Sequence, residues 1–486
     1  MSLGRKLSRL AARGFRPSPD TLRHSGPDEA EDSPWDPAPE ELEPGPEAPA
    51  TGDGPTAEEA LSDPRRDRIA RLRTMMNQVA TRQAAKARER AERAAVQLPG
   101  ARLDTSEGSV RRALEHLGPE HCHGQIAVAR ALAVDPLSVA GLALDPRLAD
   151  VDLSQALFLD TETTGLGGGT GVIPFLVGLA WFEDGALVVE QLLLEELDEE
   201  PALLAQLYAR VEAASCVVTY NGKSYDMPLL DARTVMNRAP PLPERPHLDL
   251  LHCSRRVYKP RLRQVRLVDM EAEVLGFRRL HDIDGAEIPS LYWSYLREGR
   301  PEFLGPIIEH NAHDVAALAA ILAVLAERYA ELHREDDPRD QLARAKVGFR
   351  SGDLAKAEVF ALAAAEGGGS KAVTTEAFEF LGKVRLRTRD LEGARQAFER
   401  GVEAALGQAS LAAPLHLELA KLFEHRLKAP DLALVHAAHT ARAEGPEASA
   451  KRSARLQKRC VRRAPRAPPS RHPELAFARE DEKPDA

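Results

Sequence analysis

The feature that most constrains the fold is a change of pattern between residues 150 and 330, where short apolar runs alternate with stretches of helical period. The continuous apolar run ALFLD, at 156–160, is typical of a buried central strand. Two more runs, at 175–182 and 186–194, flank Glu183-Asp184-Gly185, which predicts a hairpin with Gly where a positive φ is needed. A helix at 201–214, a strand at 216–220 and a helix opening near 225–228 follow. This order predicts an α/β fold, a mixed sheet with flanking helices.

The 486 residues exceed what one hydrophobic core usually supports, so we expect more than one folded unit. Residues 1–64 are rich in Pro, Gly, Asp and Glu, a composition that predicts a disordered acidic tail. Residues 65–98 change to Arg and Ala and predict a basic helix, either solvated or in contact with nucleic acid or a partner. We assign 99–149 to an N-terminal extension of the domain at 150–332, and 464–486 to a second disordered tail.

Residues 336–463 predict an all-α region built from a recurring phrase. The phrase appears as GDLAKAEVFALA (352–363), RDLEGARQAFERGV (389–402) and, more loosely, PDLALVHAAHTA (430–441). Its spacing resembles a short tetratricopeptide array, a fold used for contacts with a protein partner. An ordinary Ala-rich helical bundle is the alternative.

Composition excludes little about function. The net charge of -10 argues weakly against a protein that coats nucleic acid, although an enzyme needs only a local basic groove. No apolar run approaches a membrane span, and the N-terminus lacks the apolar core of a signal peptide, so we expect a cytoplasmic protein without a membrane segment. The four cysteines are far apart and predict neither a zinc site nor a disulfide framework.

The strongest local signal is FLDTETTGL at 158–166. Alternation along a strand places Asp160 and Glu162 on one face, at the end of the apolar run. Two carboxylates at such close range repel each other unless a cation lies between them. Hard oxygen ligands favour Mg²⁺ or Mn²⁺ over zinc.

Two later phrases add carboxylates to this pair. VTYNGKSYDMPLL (218–230) places Asp226 at a helix start, and EHNAHDVAAL (309–318) places His310 and Asp314 on one face of a helix opening near Pro306. Four carboxylates can hold two metal ions about 4 Å apart, a pair that can activate water and stabilise an in-line phosphoryl displacement.

Together these phrases resemble the DEDD exonuclease superfamily, and within it the YprB-type ribonuclease H-like domain, over residues 156–325. The resemblance extends to phrases that carry no chemistry by themselves, at 247–258, 266–277 and 282–299. It implies a ribonuclease H-like sheet, two Mg²⁺ or Mn²⁺ ions, and hydrolysis of single-stranded DNA or RNA, often 3′ to 5′. The implied metal ligands are Asp160, Glu162, Asp226 and Asp314.

The chain departs from this superfamily at the general base. The superfamily places a His five residues before the last Asp or a Tyr four before it, whereas here His310 lies four before Asp314 and Glu309 five before. An imidazole can accept a proton from water near neutral pH, so His310 is the candidate base or water-orienting residue. His313 is the rival, and a structural helix-face role for either histidine stays open.

Several residues are candidate substrate contacts. Thr163 and Leu166 adjoin the first carboxylate pair, and Asn221, Lys223 and Tyr225 line the loop before Asp226, although turn formation explains Asn221 equally well. A basic run, namely Arg255, Arg256, Lys259, Arg261, Arg263 and Arg266, could follow a nucleic-acid backbone or form a solvated face. The alternative to a nuclease is a catalytically weak nucleic-acid-binding or scaffolding protein that retains the fold.

Overall fold

The computed structural model describes residues 98–165, 171–280 and 282–463, all within one compact unit. The predictions for 1–64, for nearly all of 65–98 and for 464–486 concern residues outside this part of the chain. The strands of the described part are β1 Ala101–Thr105, β2 Gly108–Leu117, β3 Cys122–His123, β4 Ile126–Ala127, β5 Ala156–Thr163, β6 Pro174–Glu183, β7 Ala186–Leu193, β8 Cys216–Thr219 and β9 His247–Asp249.

The helices of the first two thirds support this sheet. They are α1 Pro136–Ala143, α2 Glu200–Ala213, α3 Asp226–Met236, α4 Leu250–Leu262, α5 Leu267–Met270, α6 Ile288–Glu298 and α7 Gly305–Ala330. The C-terminal helices are α8 Pro338–Ser351, α9 Leu354–Glu366, α10 Lys371–Arg387, α11 Leu391–Ala404, α12 Ala409–Lys421, α13 Pro430–Ala437, α14 Ala441–Glu444 and α15 Pro446–Arg463.

Seven strands form one mixed sheet in the order β1-β2-β7-β6-β5-β8-β9. β5 pairs antiparallel with β6 and parallel with β8, and β8 pairs parallel with β9. The β6–β7 turn has positive φ at both Asp184 (49°) and Gly185 (82°), the conformation of a tight type I′ hairpin. The prediction for 99–149 is an N-terminal extension without named strands, and in the structure β1 and β2 extend the sheet along the edge of β7.

Each face of the sheet packs against helices because β5 is apolar on both sides. Phe158 belongs to the core beneath α7, whereas Leu157 and Leu159 belong to the opposite core with α2 and α6. α7 is long and apolar enough to cross a membrane by length and composition, but about 67% of its apolar window is buried in the protein. Its apolar residues therefore form the core against the sheet.

Consecutive C-terminal helices pack against one another. Asp353 and Asp390 cap the N-termini of α9 and α11 by accepting backbone hydrogen bonds, which explains the acid in the first two copies of the recurring phrase. In the third copy Asp431 lies inside α13, and the N-cap is Ala429. Gly382 gives α10 close contact with α11, since a Cβ at this position would lie 2.2 Å from the Phe398 ring. Assignment to the tetratricopeptide class stays a prediction.

Candidate active site

The first carboxylate pair lies where β5 leaves the sheet. Asp160 and Glu162 are partly exposed on one face, and Thr161 between them is buried on the other. The β5–β6 register shifts between Glu162 and Thr163, so the regular ladder ends beside the pair. The alternation predicted from the sequence thus gives two neighbouring carboxylates at the end of a rigid strand.

Asp160 is oriented by a buried amide that sequence reasoning missed. Nδ2 of Asn311, on α7, donates to Asp160 Oδ2 at 2.9 Å, while Asn311 Oδ1 accepts from Gln191 Nε2 at 3.0 Å. Gly178, paired with Asp160 across β5 and β6, leaves room for this amide, because a Cβ there would lie 2.2 Å from Asn311 Oδ1. Asn311 lies three residues before Asp314, and that helical spacing could have indicated it.

Asp226 begins α3 and is reached through the loop after β8. The Thr161 hydroxyl donates to Asp226 Oδ1, which links the second motif to the first. The loop itself is fixed by Asp249, whose carboxylate accepts from the backbone N–H of Asn221 (2.9 Å) and of Lys223 (3.2 Å). Asn221 has a φ of 70°, in keeping with the turn role weighed for it.

α7 brings the third motif against Glu162. His310 Nε2 lies 3.6 Å from Asp314 Oδ2 and 3.9 Å from Glu162 Oε1. One ligand atom from each of these three residues lies within 4.8 Å of the other two, a spacing that a single metal ion can bridge. Asp160 and Asp226 border this cluster closely enough for their charges to repel it.

Two further residues, Arg279 and Asp282, complete the surroundings of His310. Asp282 Oδ1 lies 2.7 Å from His310 Nδ1, so a proton on Nδ1 leaves the Nε2 lone pair directed towards Asp314 and Glu162. Asp282 belongs to the phrase at 282–299 that was expected to carry no chemistry. The structure places this residue against His310 of α7.

Arg279 places a guanidinium against one of these carboxylates. It donates to Asp314 Oδ1, and two of its nitrogens each lie 2.9 Å from an oxygen of Glu271. Glu271 is buried and also contacts His123 Nε2 at 2.7 Å. Glu271 therefore fixes the position of Arg279, and Arg279 partly neutralises the charge of Asp314.

The carboxylates titrate abnormally because of their surroundings. Burial, followed by the charges of the neighbouring acids, raises the pKa of Asp160 and of Glu162 well above the ordinary range. Burial raises the pKa of Asp226 to about 6, and burial also raises that of Asp314 despite the opposing charges of Arg279 and His310. Buried carboxylates that lack sufficient positive charge favour a bound cation.

His313 lies on a different face of α7 from this cluster. Its ring centroid is 5.4 Å from that of Phe277 and 6.1 Å from that of His123. With these residues it lines a cavity of about 500 Å³, and burial lowers its pKa. Of the two candidate histidines, the structure brings His310 to the carboxylates.

The candidate substrate contacts differ in availability. Asn221 and Lys223 are exposed, whereas the buried Thr163 donates its hydroxyl to Gly165 O at 2.8 Å and the Tyr225 hydroxyl donates to the same oxygen at 3.3 Å. Leu166 lies outside the described residues. Trp293, which sequence reasoning missed, donates to Thr164 O at 3.1 Å and is 38% exposed beside this loop.

Comparison with known proteins assigns the fold of this region. Residues 157–326 match the RNase_H superfamily, so the chain carries an RNase H-like domain and the predicted fold class is confirmed. Such a domain indicates a nuclease or another nucleic-acid-related function.

One curated relative is the uncharacterized protein YprB of Bacillus subtilis (strain 168), 37% identical over 196 residues. The match covers 40% of this chain and 47% of YprB, so this chain spans about half the length of the relative. Over the matched residues this chain is therefore similar to YprB. Among solved structures, the family B DNA polymerase of Pyrobaculum calidifontis aligns with a TM-score of 0.29 and 15% identity, over 48% of this chain and 29% of the polymerase.

Proposed function

We propose that this protein is a metal-dependent nuclease of the DEDD type that hydrolyses single-stranded DNA or RNA, 3′ to 5′ from an end. The observation that supports this best is the cluster of Glu162, His310 and Asp314, whose ligand atoms lie within 4.8 Å, with Asp160 and Asp226 beside it. The four carboxylates form an all-oxygen donor set, which fits Mg²⁺ or Mn²⁺.

In this mechanism Asp160, Glu162, Asp226 and Asp314 would hold two ions. Bound there, the metal would polarise the phosphate and lower the pKa of a water molecule. His310 Nε2 would accept the proton of the attacking water, and Asp282 would stabilise the resulting imidazolium through Nδ1–H. Arg279, supported by Glu271, would place positive charge beside the developing negative charge on the phosphate.

The test is hydrolysis of end-labelled single-stranded oligonucleotides by the full chain with Mn²⁺ or Mg²⁺. We expect stepwise products from a free 3′ end and none from a circular strand. Asp160→Asn should lower the rate by more than about 100-fold. Loss of a residue that only hydrogen-bonds to a metal ligand already costs roughly 10 to 100-fold in activity. Asp184→Asn, the same change in the exposed hairpin turn, is the matched control.

Two outcomes would contradict the proposal. Hydrolysis that survives in Asp160→Asn would place the chemistry elsewhere in the preparation. Absence of hydrolysis with every substrate and either metal, together with binding of single strands, would favour the alternative of a nucleic-acid-binding scaffold.

A further inference from the structure

A second site lies beside the loop that carries Asp226. It is a cavity of about 490 Å³ between the end of β8 and the segment joining α4 to α5. We call it the basic groove and define it by Arg255, Lys259, Arg263 and Arg266, whose side chains line it and are exposed. No Asp or Glu is among the described residues that line it.

The groove is formed by the end of α4 and the residues that follow it. Arg255 and Lys259 are four residues apart and share one face of α4. Arg263 comes directly after the helix, where its φ of 64° leaves the helical conformation. Several cations along one side of the groove can contact more than one phosphate of a strand. The floor is fixed, because the Tyr220 hydroxyl donates to Val265 O across the groove.

The other arginines of the same run have internal partners. Arg256 donates to Leu142 O at 3.3 Å, and Arg261 donates to Asp340 Oδ2 at 2.7 Å, so both belong to the packing of α4 against neighbouring helices. Arg266 lines the groove but forms two contacts of 2.9 Å with Asp269. The fold thus separates the arginines that pack α4 against its neighbours from Arg255 and Arg263, which are exposed along the groove.

The groove also adjoins the candidate active site through one short loop. Asn221 lines it, and the backbone N–H of Tyr225, next to Asp226, donates to Asn221 O at 3.2 Å. A ligand in the groove therefore lies against the same loop that positions a proposed metal ligand.

We propose that the basic groove binds the phosphodiester backbone of the single strand whose end is hydrolysed at the carboxylates. This inference rests on the proposed function for the identity of the strand. Arg255 and Arg263 contact its phosphates electrostatically, and the groove holds the strand without reading its bases.

The experiment measures binding separately from hydrolysis. Fluorescence anisotropy of a labelled 20-nucleotide oligo(dT) or oligo(U) is recorded with the full chain in EDTA, as a function of salt. The double variant R255Q/R263Q is compared with R334Q/R350Q, which removes two exposed arginines that do not line the groove. For single strands the slope of log K against log salt is about 0.7 per phosphate contact.

We expect R255Q/R263Q to reduce that slope by about 1.4 and, at 0.1 M salt, the affinity by roughly 25-fold, with R334Q/R350Q close to the parent. The proposal would be overturned if both double variants lost the same affinity, or if neither lost any. Displacement of the oligonucleotide by millimolar inorganic phosphate or dTMP would also overturn it, by indicating a small-anion site.

The two proposals can fail separately. If binding depends on the groove but no hydrolysis occurs, the groove proposal stands and the nuclease proposal is rejected. If R255Q/R263Q binds and hydrolyses the strand as the parent does, the nuclease proposal stands and the groove proposal is rejected.

Discussion

Two clusters of acidic and basic side chains in this protein are organised in opposite ways. In the C-terminal helices a fully buried carboxylate, Glu424, accepts hydrogen bonds from Arg452, Arg455 and Arg459 at 2.8–3.2 Å. The hydrogen bond from Arg455 leads the interactions that lower the pKa of Glu424. Glu424 has three cationic partners, of which Arg452 also pairs with Glu444 at 2.8 Å, and these contacts join α15 to its neighbours.

In the candidate active site the acids outnumber the cations. Four carboxylates share the guanidinium of Arg279 and the imidazole of His310, and their pKa values are raised. A fold that can match a buried acid with three arginines has left four acids under-compensated elsewhere. Local electrostatic conflict of this kind is expected where a site binds a cation or performs chemistry.

The largest expected effect is on the rate of hydrolysis, and it separates the two histidines of α7. His310→Ala should lower the rate of single-strand hydrolysis by roughly 10² to 10⁴-fold, because the proton acceptor of the attacking water is removed. Single-turnover kinetics at saturating Mn²⁺ measure this. His313→Ala, on the other face of the helix, should retain a rate near that of the parent. The reverse ranking would assign the base to His313.

Asp282→Asn should have the next largest effect, about 10 to 100-fold on the same rate, as is usual when the partner that orients a functional histidine is lost. The amide can still meet the ring but does not stabilise its protonated form. Asp284→Asn, two residues further along the same exposed segment, is the matched control. A full rate in Asp282→Asn would show that the 2.7 Å contact with His310 has no part in the reaction.

Glu424→Gln tests the structural cluster. The three guanidiniums lose their common counter-charge, and because two of them are nearly half exposed we expect a loss of about 1–2 kcal/mol, below the 3–5 kcal/mol of a fully buried pair. Urea denaturation measures the change, with the rate of hydrolysis per folded molecule unaltered. Glu447→Gln, in an exposed pair with Lys451, should leave stability unchanged. A lower rate in Glu424→Gln at full stability would contradict a purely structural role.

Much of the fold was predictable because its signals are local. The buried strand β5, the β6–β7 hairpin and the starts of α3 and α7 follow from apolar runs, turn residues and helix-start residues within a few positions of each other. Strands β1 and β2 were not predicted, because they are half-exposed and gain their pairing only at the edge of β7.

The same distinction applies to the site. The carboxylates lie in short motifs and were nominated from the sequence, whereas Arg279 and Asp282 reach His310 only through a chain reversal of about thirty residues. The contact of Asn311 with Gln191, and the space that Gly178 leaves for it, join three elements. Of this arrangement only the spacing of Asn311 and Asp314 is visible in the local sequence.

The smallest expected effect concerns stability, and it tests whether the charge of Asp226 opposes folding whereas that of Glu424 favours it. Burial raises the pKa of Asp226 from 3.8 to about 6, so the folded state binds this proton more tightly than the unfolded state does. The resulting stabilisation is fully present below about 3.8 and is lost as the pH rises through about 6. At pH 7 the ionised carboxylate therefore opposes folding when no metal is bound.

Asp226→Asn removes that charge and keeps an oxygen for the Thr161 hydroxyl, so in EDTA at pH 7 we expect a gain of about 1 kcal/mol, less than the roughly 3 kcal/mol that the full pKa change would give. The gain should vanish at pH 4.5, and millimolar Mn²⁺ should reverse it, because the parent then gains the binding energy of the metal. Urea denaturation at both pH values, with and without Mn²⁺, measures all three. A loss of stability in EDTA, as expected for Glu424→Gln, would place Asp226 among the structural carboxylates and remove the contrast between the two clusters.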